Sequence, residues 1–178
     1  MRGWRNLGKQ PQPGSIAQVQ RNTEHQVDLS FWVEHALFRL LRQHPPSLPE
    51  LNRMLEQRSA PVRRILLLEP EVPGKFIHHT PDTQTTLALR DLGGLDAFVA
   101  MACLARRGEH TEHVPDHALP SMCLFDMFAR LILGEAALQY RWENLARCLE
   151  PIFWRRHYPN NALLPIPPIL STLSDQMR

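Results

Sequence analysis

Several features common in enzymes are missing from this sequence of 178 residues. It holds only eight glycines, and no G-x-G-x-x-G or G-x-x-x-x-G-K-[ST] motif is present. These absences exclude the standard dinucleotide and P-loop phosphate cradles. The G-x-S-x-G nucleophile elbow of many hydrolases is missing as well. An enzyme is therefore the function class that the sequence supports least.

Cysteines and long apolar runs are also scarce. The three cysteines, Cys103, Cys123 and Cys148, are widely spaced without a C-x-x-C motif, which fits a reducing compartment rather than a disulfide framework. The most apolar run, 65–68, is far shorter than the roughly 20 residues of a membrane span. The first residues lack the apolar core of a signal peptide. We therefore expect a soluble, cytoplasmic protein without a membrane partner.

Lysine is nearly absent, since Lys9 and Lys75 leave 18 arginines among the 20 basic residues. Arginine suits bidentate contact with phosphate, carboxylate or guanine. A GC-rich coding genome would give the same arginine bias without any functional meaning. The formal net charge of +2 permits contact with nucleic acid but does not require it.

Proline is abundant, with 16 residues, or about 9% against a usual share of roughly 5%. Long uninterrupted helices are therefore excluded. The composition changes along the chain predict four parts: a flexible basic N-terminal arm (1–27), a compact unit (28–92), a helical part (93–157) and a proline-rich tail (158–178). The first part is either a flexible arm whose basic charge has a role or an unstructured start without one.

Apolar residues at steps of three and four predict a helix from about residue 29 to residue 41, ended by Pro45 and Pro46. Ser47 and Glu50 predict a capping box for a second helix over about 48–57. Ser59 is expected to cap a third helix that stops before Pro70.

A period of two then predicts a β-hairpin with strands at 75–80 and 85–90 around a turn at 81–84. Two glycines at 93–94 end that unit. Beyond them, apolar periodicity predicts helices at 95–107 and 121–140, joined by a polar loop over 108–120. A further helix is expected to continue over 141–150.

Residues 47–66 are predicted to form two short helices with apolar side chains at Leu48, Leu51, Leu55, Val62, Ile65 and Leu66. This stretch of 20 residues resembles the two-helix motif of the winged helix-turn-helix DNA-binding superfamily. The chain departs from the family pattern at Asn52 and Glu56, where alanine and glycine are usual. The resemblance implies a mainly α protein: a winged-helix-like three-helix unit with a small β-hairpin, followed by a helical C-terminal part.

The resemblance also implies a function, duplex DNA binding by a bacterial transcriptional regulator or accessory factor. In that case Arg63 and Arg64 would contact bases or phosphates, Arg58 and Ser59 would hold backbone phosphate, and Lys75 would lie in the wing. The C-terminal helices would form a homodimer or receive a protein partner. The alternative is a helical protein-interaction module, such as an adaptor, an inhibitor or an antitoxin-like partner, without DNA binding.

A second cluster of chemically active residues consists of His110, His113, His117 and Cys123, with Cys103 upstream. Zinc takes four nitrogen or sulfur ligands, and such short spacings could supply them from one loop and the next helix. The sequence matches no standard zinc module, so a solvated histidine-rich loop without a cofactor is the alternative.

Overall fold

The structure is a computed structural model that describes residues 35–68, 76–78, 81–111, 114–135, 138, 142–150 and 153. Seven helices run through these residues: α1 (Ala36–Leu40), α2 (Leu48–Glu56), α3 (Ala60–Leu66), α4 (Thr83–Leu92), α5 (Gly94–Gly108), α6 (Val114–Gly134) and α7 (Trp142–Leu149). Two short strands, β1 (Leu67–Leu68) and β2 (Ile77–His78), pair antiparallel. The expected mainly α class is confirmed. The N-terminal arm, the proline-rich tail and Lys75 lie outside the described residues.

Helix α2 begins as its sequence predicted. The Glu50 carboxylate accepts hydrogen bonds from the backbone N–H of Ser47 at 3.0 Å and from its hydroxyl at 2.8 Å. These bonds lower the pKa of Glu50, because they favour its charged form. The helix ends at Glu56, and its C-cap Gln57 has a φ of −83°, so neither residue adopts the left-handed backbone that favours glycine.

The predicted β-hairpin wing is contradicted by the structure. Residues 85–90, expected as its second strand, lie in helix α4. Helix formation prevails there because the Asp82 carboxylate accepts the N–H of Thr85 at 2.7 Å and so caps the first turn. Strand pairing in the described part of the chain is limited to two residues on each side, Leu67 opposite His78 and Leu68 opposite Ile77. The prediction of a winged-helix-like unit is therefore wrong.

Helix α6 begins at Val114, within the segment that the sequence predicted to be a loop, and continues for 21 residues with Pro120 inside it, so the expected absence of long helices is wrong. Pro115 lies in the first turn, where a helix needs no internal N–H donor. The buried residues near the start of α6 are His117, Pro120 and Ser121. Pro120 and Ser121 follow His117 by three and four positions, so the inward face of the helix extends toward its N-terminus. The expected polar loop is thus reduced to a short connection between α5 and α6.

Helix α5 lies at the centre of the core, and all its side chains from Ala97 to Arg106 are buried. It contacts helices α1 to α4 and α6, which explains why the helix is apolar around most of its circumference. Arg106 is the one charged residue in that buried stretch. None of the described helices combines the length and apolarity that a bilayer crossing requires.

The end of α5 touches the start of α6 through Gly108. A Cβ atom at this position would lie 2.5 Å from the carbonyl carbon and oxygen of Asp116 and from the backbone nitrogen of His117. Only a residue without a side chain allows the two backbones to come this close.

Candidate functional site

Arg58, expected to hold DNA phosphate, is bound inside the protein. Its Nη1 lies 3.0 Å from Oδ1 of Asp96, and its Nε donates to the carbonyl of Met54 at 2.9 Å. The other oxygen of Asp96 accepts the backbone N–H of Ser59 at 2.7 Å. The Ser59 hydroxyl, expected to cap α3, makes no capping bond. Asp96 therefore ties the turn between α2 and α3 to helix α5.

Arg63, expected to contact bases or phosphates, is also used within the fold. Its Nη1 donates to the carbonyl of Arg58 at 2.9 Å and to that of Glu56 at 3.5 Å. The guanidinium lies over the ring of Phe76, 6.0 Å from the centroid. These contacts connect α3 to the residue before β2.

Arg64 differs from these two arginines. It is exposed on α3, and its side chain makes no hydrogen bond or ion pair to any residue that the structure describes. Arg53 on α2 is likewise exposed, and its side chain makes no hydrogen bond or ion pair to the described residues. The cations available for an external anion on α2 and α3 are therefore Arg53 and Arg64, not Arg58 and Arg63.

The expected zinc ligands have separate surroundings. His110 is exposed, and its Nε2 lies 2.9 Å from the carbonyl of Pro46. His117 is buried beside Ser121, with 3.2 Å between Nδ1 and Oγ. Cys123 is buried on α6, and His113 lies outside the described residues. Among the residues that are described, no three His, Cys, Asp or Glu side chains form a metal-binding group.

A buried polar network that the sequence did not reveal surrounds Arg106. Nη1 of Arg106 contacts both oxygens of Glu109, at 2.8 and 3.0 Å. Its Nε donates to the carbonyl of Leu40 at 2.8 Å, and its Nη2 donates to that of Arg42. The guanidinium also lies 5.6 Å from the centroid of the Phe153 ring. Arg106 thus joins the loop after α1 to the end of α5.

Ser121, His117 and Glu109 follow one another in this network, the order of side chains in a serine hydrolase. Nε2 of His117 lies 3.5 Å from Oε1 of Glu109. However, Ser121 is only 4% exposed and His117 only 1%. A nucleophile must reach its substrate, and this hydroxyl is enclosed. The arrangement therefore fits a structural role.

An open cavity of about 420 Å³ lies between α2, α4, α5 and α6. Its walls are mainly apolar with a few polar groups, the composition typical of ligand sites. The lining residues are Leu48, Pro81, Asp82, Thr83, Thr86, Leu104, Arg107, Gly108, Thr111, Pro115, Asp116, Leu119 and Pro120.

Arg107 is the only cation in this lining. It is half-buried, and its side chain forms no hydrogen bond or ion pair with any of the described residues. Burial lowers the pKa of its guanidinium, because water is removed from the charge. Both acids in the lining belong to helix starts, and Asp82 caps α4. The cavity therefore contains one partly desolvated positive charge, with both carboxylates of the lining located at helix starts.

Comparisons with protein-family models, with curated proteins and with solved structures find no match for this chain. The cavity and the exposed arginines are therefore the features of this chain that bear on its function.

The sequence contained a signal for the cavity. Four of the lining residues have the spacing of one helical face, since Arg107, Gly108 and Thr111 follow Leu104 by three, four and seven positions. An arginine and a glycine on the same face of an apolar helix are unusual for simple core packing. What the sequence could not provide is the opposing wall from α4 and α6, because α4 was expected to be a strand.

Proposed function

We propose that this protein is a helical protein-interaction module that recognises a carboxylate of its partner in the cavity beside Arg107. The observation that supports this proposal most strongly is the half-buried guanidinium without a bond to the described residues. The commitment of Arg58 and Arg63 to intramolecular contacts favours this function over DNA binding.

The chemistry of the cavity defines the group that it would accept. A guanidinium binds a carboxylate through two parallel hydrogen bonds, and the partial loss of water around Arg107 strengthens such a pair. Apolar walls from Leu104, Leu119 and Pro120 would contact the aliphatic body that carries the carboxylate. An acidic side chain next to an apolar residue, or a C-terminal carboxylate on an apolar residue, fits these requirements.

The test uses N-acetyl-leucine as a probe and N-acetyl-leucine amide as its uncharged counterpart. Each is titrated into ¹⁵N-labelled protein while the NMR signals of the Arg107 side chain and the amides of Thr86 and Thr111 are followed. We expect saturable shifts with the acid only, with a Kd of about 1 mM because the probe is a small fragment.

Two variants make this titration specific. Arg107→Gln keeps the length and most of the packing of the side chain but removes its charge, and we expect it to abolish the shifts. Arg64→Gln removes an exposed arginine outside the cavity and should leave them unchanged. Equal shifts with the acid and the amide, or full binding by Arg107→Gln, would contradict the proposal.

Duplex DNA binding remains a second candidate function, favoured by the exposed Arg53 and Arg64 on neighbouring helices. Fluorescence anisotropy of a labelled duplex across about 50–200 mM salt tests it. If both arginines contact phosphate, the variant Arg53→Ala/Arg64→Ala binds with a salt slope shallower by about 2. No binding by the unaltered protein at the lowest salt excludes this function, whatever the result of the NMR titration.

A further inference from the structure

An apolar stripe on the outer face of α6 consists of Met122, Phe125, Ala129 and Leu133, of which Phe125 and Ala129 are half-buried against the core. Met122 and Leu133 are exposed by 51% and 48%, although both are large hydrophobic residues. The steps of three, four and four place all four side chains along one side of the helix. The stripe is about 16 Å long at 1.5 Å per residue, which is three helical turns.

Two side chains of opposite charge lie along one edge of the stripe. Asp126 and Arg130 are both exposed and lie one turn apart on α6. Asp126 Oδ2 lies 3.9 Å from Nη1 of Arg90, and Arg130 Nη2 lies 3.4 Å from the Arg90 carbonyl oxygen. Both distances are longer than those of a typical hydrogen bond. Both charged groups can therefore take part in a further contact.

The order of these residues along α6 matches an antiparallel pairing of the helix with itself. When two helices are related by a two-fold axis, residues whose numbers have the same midpoint face each other. The pairs 122 with 133, 125 with 129, and 126 with 130 have midpoints of 127.5, 127 and 128, which agree to within half a residue, or about 0.75 Å along the helix. One axis thus aligns apolar with apolar side chains and acid with base.

We propose that a second copy of this chain packs on this face, with the two α6 helices antiparallel. Met122 then faces Leu133 of the partner subunit, and Asp126 faces Arg130 of the partner subunit. Since the axis repeats every contact, the interface contains two such ion pairs. This inference rests on the residues of α6 alone and does not depend on the carboxylate site.

The expected dimer is weak. Three turns of paired helix bury less than about 1,200 Å², the lower limit for stable complexes, so we expect a Kd in the range of roughly 1–100 µM. Sedimentation velocity at several concentrations of the full chain measures this association.

Charge reversal gives the decisive test. Asp126→Arg places two arginines opposite two arginines in a dimer, and Arg130→Asp places two acids opposite two acids. Each variant alone should associate at least about tenfold more weakly than the unaltered protein. In a one-to-one mixture, however, every acid faces an arginine of the other variant, so the mixture should regain the original Kd. If a substitution weakened association by disturbing only its own subunit, mixing the two variants would not restore the Kd.

Glu143 and Arg147 on α7 provide a matched control, because they form an exposed pair one turn apart at 3.8 Å. Reversal of either charge should leave the Kd unchanged. Thermal melts monitored by circular dichroism confirm that every variant is folded. The proposal is overturned if the unaltered protein is monomeric at about 100 µM, or if mixing the two α6 variants fails to restore association.

Discussion

Glu109 binds one nitrogen of the Arg106 guanidinium with both of its carboxylate oxygens, at 2.8 and 3.0 Å, and the two side chains are each only 1% exposed. The remaining nitrogens of Arg106 reach the carbonyls of Leu40 and Arg42. The buried cation therefore has a countercharge and backbone acceptors. An arrangement of this kind is costly to disrupt, because a charge left alone in the core loses both water and its partner.

We first predict that Glu109→Gln destabilises the protein by about 3 kcal/mol, since it removes the countercharge and leaves Arg106 charged in the core. Urea denaturation measures the change. Glu143→Gln, at an exposed ion pair on α7, is the control and should cost less than about 0.5 kcal/mol. Equal losses in the two variants would contradict this account of the network.

The sequence predicted much of the helical framework because local signals determine it. The Ser47–Glu50 pair and the prolines defined α2 and α3, and the two glycines at 93–94, with φ of 68° and 76°, separated α4 from α5. The wing prediction was wrong at residues 85–90, where a period of two suggested a strand. The Asp82 cap and the burial of Thr86 and Leu89, three residues apart, instead favoured a helix.

The site was less predictable because arginine roles depend on long-range contacts. Arg58 is bound by Asp96, which lies 38 residues further along the chain. Arg106 and Arg107 are neighbours in sequence, yet one is enclosed in a network and the other lines an open cavity. The sequence showed their charge but not the surroundings that distinguish them.

A second prediction concerns Asn52 on helix α2. Its Oδ1 is buried and accepts no hydrogen bond from the part of the chain that the structure describes. Asn52→Ala removes this group and improves helix propensity, so we expect a gain of about 1 kcal/mol. A higher urea midpoint with an unchanged m-value would confirm it, whereas a loss of stability would show that the amide is satisfied.

The third prediction concerns Gly108. An alanine methyl group there would lie 2.5 Å from the backbone of Asp116 and His117, so α5 and α6 would have to separate. We expect Gly108→Ala to destabilise the protein by roughly 2 kcal/mol. Gly134→Ala is the control, because nothing lies within 4 Å of its added Cβ. Thermal denaturation of both variants compares the two positions, and similar melting temperatures would argue against the close approach.

Thiol reactivity provides a fourth prediction. Burial raises the pKa of all three thiols, that of Cys103 to about 12, so each forms less of the reactive thiolate near neutral pH than a free cysteine does. Accessibility therefore distinguishes them, because Cys103 and Cys123 are enclosed whereas Cys148 is exposed. We expect a disulfide reagent to modify only Cys148 in the folded protein and all three thiols in denaturant. Rapid modification of the Cys148→Ser variant would show that the core opens readily.

The fifth prediction is a pH dependence at the start of α2. Because the bonds from Ser47 lower the pKa of Glu50 in the folded state, its contribution to stability is present above the ordinary glutamate range near 4.5. That contribution is lost as the pH falls through the folded pKa. Glu50→Gln should therefore have a lower urea midpoint than the unaltered protein at pH 7. The two midpoints should converge in acid, and a constant difference would exclude Glu50 titration as its source.

The sequence separation of the Arg106 contacts predicts that they form late in folding. Its bonds to the carbonyls of Leu40 and Arg42 connect residues 66 and 64 positions apart, and His110 reaches Pro46 across 64 positions. Closing such a loop costs entropy before any of these bonds forms. The helices of the α5–α6 hairpin are neighbours in sequence and can pair early. We therefore expect φ-values near zero for substitutions at Arg106, so that its network slows unfolding without accelerating folding.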